Sequence, residues 1–241
     1  MSVLRGASFD VASGRITALI GPNGAGKTTL FNIIAGFLAP DAGTIELKGR
    51  PVTGLPPDRL FRLGLVRTFQ IPQIFARLSV RDNLMIVPAG QKGEALWRVF
   101  LQPGAVHAQD ALIRARVAGV LEALRLDHLA AEPAGNLSGG QKKLLELGRV
   151  MLAGADVVLL DEPGAGVNRT LLATLAADIE RLNREHGLTF LVIEHDMDLV
   201  ARMCNPVVVM AEGQVIASGS IDQIRANRTV IDAYLGGQVS A

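Results

Sequence analysis

Short apolar runs rich in β-branched residues alternate along this chain with stretches whose apolar positions recur every three or four residues. The first pattern marks buried strands and the second marks amphipathic helices. Ile16-Thr17-Ala18-Leu19-Ile20 reads as a buried strand ending at Gly21, and Val157–Leu160 and Phe190–Ile193 read as two more. Val207–Met210 and Gln214–Ala217 flank Glu212-Gly213 and predict a hairpin. The spacing predicts helices over Leu30–Leu38, Ala108–Leu126, Asn168–His186 and Ser220–Leu235, and one running from Gln141 to about Gly154. Leu112, Ile113, Val117, Val120, Leu121 and Leu124 form the stripe of the second of these. From Pro72 to Asn136 the only strand signal is Leu84–Val87, so this stretch, extended to about residue 140, is expected to be a helical lobe inserted into an α/β core. The expected fold class is therefore α/β, with a mostly parallel sheet and an antiparallel β portion.

Polar residues follow the C-terminal ends of three apolar strands: Gly21 onward, Asp161-Glu162 and Glu194-His195. In open α/β sheets that edge is where ligands bind. Gly21-Pro22-Asn23-Gly24-Ala25-Gly26-Lys27-Thr28, followed by Thr29, matches the spacing G-x-x-x-x-G-K-[ST] between a strand and a helix. Glycines let backbone N–H groups curl around phosphates, and the following helix turns its positive end to the same place. Lys27 can reach the β and γ phosphates, and the Thr28 hydroxyl can ligate Mg²⁺. A plain Gly-rich turn is the competing reading, and the strand–loop–helix context weighs against it.

Two carboxylates end the second strand. Adjacent strand residues point to opposite sides, so the two are expected to differ in role: Asp161 to hold Mg²⁺, Glu162 to polarise an attacking water. A second glycine-rich element, Leu137-Ser138-Gly139-Gly140-Gln141, opens a helix. Ser138 and Gln141 form a capping box by themselves, but capping does not call for Gly139 and Gly140, which weaken a first turn. Exposed N–H groups, a hydroxyl and a helix N-terminus together suit an anion.

Composition narrows the picture. The 241 residues are 49% hydrophobic and only 4% aromatic, so the core is aliphatic. Lys and Arg number 24 against 23 Asp and Glu, which gives no electrostatic reason to expect nucleic acid as a partner. Cys204 is the only cysteine, which excludes an internal disulfide and a cysteine metal cluster. No signal peptide pattern is present, and the apolar run Leu30–Ala39 is about half of what a membrane span needs, so a soluble chain is expected.

In order and spacing, Gly21–Thr28, Leu137–Gln141 and Asp161-Glu162 resemble the Walker A, signature and Walker B motifs of ABC ATPases, which are P-loop NTPases. The resemblance covers nearly the whole chain and implies ATP and Mg²⁺ as ligands. It implies a dimer in which Ser138, Gly139, Gly140 and Gln141 of one subunit cap ATP held by Gly21–Thr29 of the other. Gln70, in Arg67-Thr68-Phe69-Gln70, resembles the Q-loop glutamine, which touches Mg²⁺ and the attacking water. His195 resembles the switch histidine. Gly164–Asn168 falls where the D-loop belongs, with Asn168 where Asp is common. His107, His128 and His186 match no motif and are expected at the surface.

Arg67–Gln70, Ser79–Leu84, Glu194–Met197 and the ending Val230–Gly236 resemble one subfamily, the ATP-binding subunits of branched-chain amino-acid importers. That implies two polytopic membrane permease subunits, a second ABC ATPase as a homo- or heterodimer partner, an external solute-binding protein reached indirectly, and a peripheral place on the cytoplasmic face of the inner membrane. Urea or amide importers and the lipopolysaccharide-export ATPase are close relatives. An ABC ATPase acting on ribosomes or DNA fits less well, since one Walker A and no sustained heptads are present, and a module that only binds nucleotide fits less well still. The family usually stacks an aromatic on adenine ahead of the first strand. Phe9 is the only aromatic before Gly21 and lies where the family has a buried strand position, so the stacking residue is expected to be missing, through an upstream start or a weaker hold on adenine. Such a contact is worth about 1–3 kcal/mol by analogy with base stacking.

Overall fold

The computed structural model describes residues 3–68, 74–94 and 100–236. The strands are β1 (Ile16–Ile20), β2 (Glu46–Leu47), β3 (Arg50–Pro51), β4 (Leu65–Arg67), β5 (Val157–Asp161), β6 (Thr189–Ile193), β7 (Val207–Ala211) and β8 (Gln214–Gly219). Six form one sheet in the order β4-β5-β6-β1-β7-β8. Every pairing is parallel except β7 with β8, the expected hairpin, and β2 pairs with β3 in a separate small ribbon. The central strands are buried along their whole length, as a sheet covered on both faces requires.

The chain divides into two compact units. The first, Met1–Gln70, Asp156–Ala165 and Ala176–Ala241, carries the sheet. Helix α1 (Lys27–Ile34) and helix α2 (Pro57–Arg62) contribute Leu30, Phe31 and Leu60 to an apolar cluster with Leu19, Leu159, Leu191 and Met210. Phe9 is half-buried and packs against this cluster, in a segment without regular structure instead of a strand. Helix α1 begins earlier than its apolar pattern suggests and ends at Ile34, with Gly36 in a left-handed conformation beyond it.

The second unit, Ile71–Ala155 and Gly166–Leu175, is helical. Its helices are α3 (Val80–Met85), α4 (Pro103–Ala123), α5 (Gly139–Leu152) and the first turns of α6 (Arg169–His186). The strand expected at Leu84–Val87 is not formed. Ser79 caps α3 through the N–H of Asp82, and buried Asn83 bonds the backbone of Phe75 and Ser79, so this apolar run is recruited into a helix. A short apolar run carries no period that separates the two states. Leu112, expected in the α4 stripe, is 69% exposed; the buried positions Ile113, Val117, Val120 and Leu121 keep the helical spacing and Leu112 falls outside it. Gly148 lets α5 press against Leu124, Val120 and Leu84.

Helix α7 (Met197–Met203) returns in the first unit. The single helix expected over Ser220–Leu235 is two, α8 (Ile221–Ala226) and α9 (Arg228–Gly236). Asn227 turns extended between them and accepts the N–H of Val230, the local competition with helical bonding that Asn side chains offer. No described helix is long and apolar enough to cross a membrane.

Cys204 ends α7 and is buried. Burial, reinforced by the Glu194 and Glu180 carboxylates, pushes its thiol up to about 12. Only the thiolate reacts, so at pH 8 the native chain is expected to react with a disulfide reagent at least about 100-fold more slowly than the urea-unfolded chain, whose thiol has an ordinary pKa. Equal rates would place Cys204 at the surface.

Candidate nucleotide site

The C-terminal ends of β1, β4, β5 and β6 share one edge of the sheet, and the chemistry collects there. β1 runs into Gly21, whose φ is +152°. A Cβ at this position would fall on the Met210 carbonyl, so only glycine lets β1 turn out beside β7. Gly26, with φ +95°, is the N-cap of α1 and brings the loop round so that the first turn starts at Lys27. The first N–H groups of a helix have no partner within it and, with the helix dipole, favour an anion.

Lys27 is 6% exposed, and its Nζ donates to the carbonyls of Gly21 at 2.7 Å and Pro22 at 3.0 Å. The lysine is thereby folded back over its own loop. Burial pulls this ammonium below the usual lysine range, and the Glu162 carboxylate works against that shift. Asn23, Gly24 and Thr28 are exposed and Ala25 is buried, so the loop presents polar atoms outward and anchors itself by its one methyl group.

Asp161 ends β5 and is held by Arg67, which ends β4. Arg67 Nη2 donates to Asp161 Oδ2 at 2.8 Å and Nη1 donates to Asn32 Oδ1, on α1, at 2.6 Å. The side chains of Arg67 and Asp161 are only 7% and 11% exposed. The guanidinium also lies over the rings of Phe31 and Phe37, at 5.8 and 5.7 Å from their centroids. One arginine therefore joins β4, β5 and α1 beneath the phosphate loop. Neither spacing nor motif pointed to this role, because its partners are 35 and 94 residues away.

Glu162 does not continue the strand. Its φ is +49°, and its N–H donates to the Ile193 carbonyl of β6. The alternation argument thus gives the right separation from Asp161 for a different reason: a left-handed residue, not strand pleating, aims the carboxylate. A non-glycine residue in this conformation costs of order 1–3 kcal/mol and persists only where neighbours impose it. His195 Nε2 lies 2.6 Å from Glu162 Oε1. A carboxylate only accepts, so Nε2 carries the hydrogen and donates it.

Ser138 caps α5 as the sequence suggests: its Oγ accepts the Gln141 N–H and the Gln141 side chain accepts the Ser138 N–H. The two glycines differ. A Cβ on Gly140 would enter the Leu171 side chain, so packing accounts for it, whereas Gly139 faces open space. Asn168 accepts the Leu171 N–H and caps α6, a task that Asn performs as well as Asp. Gln70 lies outside the described residues. His107, His128 and His186 are exposed, as expected.

The sequence model described as ABC transporter matches residues 4–165, and that of the branched-chain amino acid ATP-binding cassette transporter matches residues 214–240. The chain belongs to the ABC transporter family. A probable branched-chain amino acid transport ATP-binding protein, LivG, of Archaeoglobus fulgidus is 40% identical over 240 residues, spanning 100% of this cassette and 92% of the relative. The high-affinity branched-chain amino acid transport ATP-binding protein BraF of Pseudomonas aeruginosa is 37% identical, spanning 97% and 91%. Among solved structures, a nucleotide-free ATP-binding cassette from an ABC transporter superposes with a TM-score of 0.81 at 35% identity, covering 96% of this chain and 92% of that one. The ADP conformation of an ATP-binding cassette superposes with a TM-score of 0.80, also at 35% identity, covering 97% and 92%.

The C-terminal match includes Tyr234, on α9 of this cassette. Burial pushes its phenol above the usual range, and a hydrogen bond with the backbone of Gly21 opposes this. The last helix therefore reaches the first glycine of the phosphate loop.

Breaking a buried ion pair from one side leaves the other charge uncompensated. Arg67→Met is expected to lower the unfolding free energy by roughly 3–5 kcal/mol in a urea titration. Arg67→Lys, which keeps the charge but not the fork, should lose less. A loss within experimental error for Arg67→Met would show that the pair contributes nothing to the fold.

Proposed function

We propose that this cassette binds and hydrolyses ATP to drive solute uptake, most specifically of branched-chain amino acids. The observation that carries the reading is one sheet edge bearing a glycine loop folded around Lys27, a carboxylate at Asp161 and the hydrogen-bonded pair Glu162–His195. The relatives named for branched-chain amino acid transport, and the match of residues 214–240, support the choice of solute.

In this reading Gly21, Pro22, Asn23, Gly24, Ala25, Gly26, Lys27, Thr28 and Thr29 hold the ATP phosphates. No group of three or more His, Cys, Asp or Glu side chains that could hold a metal ion occurs among the described residues. Mg²⁺ keeps several waters and takes one or two carboxylates together with substrate phosphates, so the oxygen donors of Asp161 and Thr28 suit it. Thr28, Asp161 and Gln70 would supply the protein side of its shell. Bound there, Mg²⁺ would neutralise charge developing on the phosphoryl oxygens. Glu162 accepts the proton of the attacking water while His195, donating from Nε2, fixes which way the carboxylate faces.

Ser138, Gly139, Gly140 and Gln141 cap the γ-phosphate of ATP held by a second ABC ATPase, identical or closely related. The whole chain acts as one ATPase domain, with the helical unit, Ile71–Ala155 and Gly166–Leu175, inserted in the α/β core. It works with two polytopic permease subunits, and indirectly with an external solute-binding protein, on the cytoplasmic face of the inner membrane.

General-base help is worth about 10²–10⁴ in rate. Glu162→Gln is therefore expected to bind ATP, turn it over about 10²–10⁴-fold more slowly and accumulate as a dimer on size-exclusion chromatography with ATP. Near-normal turnover would sink the assignment. Affinity capture of the tagged chain from native membranes checks the partners; two polytopic proteins and a second ATPase are the expected yield, and ribosomal or DNA-bound proteins would overturn the transporter reading.

A further inference from the structure

Glu194 stands between β6 and His195 and is only 4% exposed. A buried carboxylate must be satisfied. Here the donors are backbone N–H groups. Glu194 Oε1 accepts the N–H of Gly164 at 2.7 Å, and Oε2 accepts the N–H of His195 at 3.0 Å and of Asp196 at 3.4 Å.

These bonds join two loops that are 30 residues apart in sequence. Gly164 lies two residues beyond Glu162, inside the turn closed by the Ala165 N–H on the Glu162 carbonyl. His195 is the residue that bonds Glu162. A ring results: Glu162, its own chain to Gly164, the Glu194 carboxylate, His195, and back to Glu162 through the 2.6 Å hydrogen bond. The left-handed backbone at Glu162 needs such an outside restraint. Hydrogen bonds to an ionised acceptor are short and roughly twice as strong as neutral ones.

We propose that Glu194 is a positioning residue for hydrolysis: its buried carboxylate clamps the Gly164 turn to the His195 loop and so sets the Glu162–His195 geometry. It touches no reacting atom in this account. The proposal rests on the assignment of Glu162 and His195 to hydrolysis, and predicts an effect on turnover without an equal effect on nucleotide binding, because Gly21–Thr28 make no bond to Glu194.

Glu194→Gln keeps the shape but puts an NH₂ where one oxygen accepts N–H groups. Small misplacements of reacting groups cost up to about 100-fold, so kcat for Mg-ATP is expected to fall about 10- to 100-fold with KM within about threefold. The amide resonances of Gly164 and His195 should shift in a ¹H–¹⁵N spectrum. Hydrogen exchange of Gly164 in the wild-type chain needs no variant and should show a protected amide. A kcat within twofold of wild type, a KM that rises in step with an unchanged kcat, or a Gly164 amide that exchanges like an open loop would overturn the clamp. Absence of turnover in the wild-type chain would instead count against the ATPase reading, and the Gly164 exchange and shifts would still decide whether the clamp exists.

Discussion

β1 leaves the sheet between β6 and β7, and at Gly21 the backbone passes so near the Met210 carbonyl that a side chain has no room. That close approach sets the direction of everything after it. The loop must rise from the middle of the sheet, curl back at Gly26 and start α1 there, with Lys27 buried in its first turn. The same approach places the loop beside the ends of β5 and β6, since β6 is the neighbour of both β1 and β5. The edge is polar because the strands cannot be. All five residues of β1, β6 and β7 are buried, so charged groups have only the strand ends in which to meet water or a ligand.

Charges at that edge are nevertheless far from free. Asp161 is paired with Arg67, Glu194 takes backbone N–H groups, and Lys27 bonds its own loop. A buried ion without such partners costs several kcal/mol. These partnerships therefore do two things at once. They make burial tolerable, and they fix side chains that would otherwise rotate. Glu162 and His195 are the contrast: their side chains are 24% and 46% exposed, and they hold each other. The pair assigned to hydrolysis is accessible, whereas Lys27, Asp161 and Glu194 are buried.

Much of this was legible in sequence where a residue type and a local spacing suffice. The phosphate loop, the acidic end of β5 and the capping box at Ser138 are all local patterns, and each forms where it was read. The parallel sheet followed from the alternation of apolar runs with helical stripes. What escaped was of two kinds. Short apolar runs carry too few periods: Leu84–Val87 went into and beyond α3, and Asn227 split a helix whose stripe ran on unbroken. Roles that depend on distant partners leave no local trace at all. Arg67 meets Asp161 across 94 positions and Glu194 meets Gly164 across 30, so only the strand order β4-β5-β6 reveals why an arginine and a glutamate stand at those ends.

The same strand order separates two kinds of work. Residues assigned to phosphate belong to one continuous segment, the turn from β1 into α1, and their geometry depends on Gly21, Gly26 and the packing of Phe31 and Leu30 beneath. Residues assigned to hydrolysis sit on two different loops, after β5 and after β6, joined by the Glu162 N–H on the Ile193 carbonyl, the Glu162–His195 bond and the Glu194 carboxylate. Arg67 spans this division, bonding α1 on one side and Asp161 on the other. A strain transmitted from β4 would therefore reach Asp161 and α1 together. Glu162, one residue beyond Asp161, would feel it through the backbone of β5.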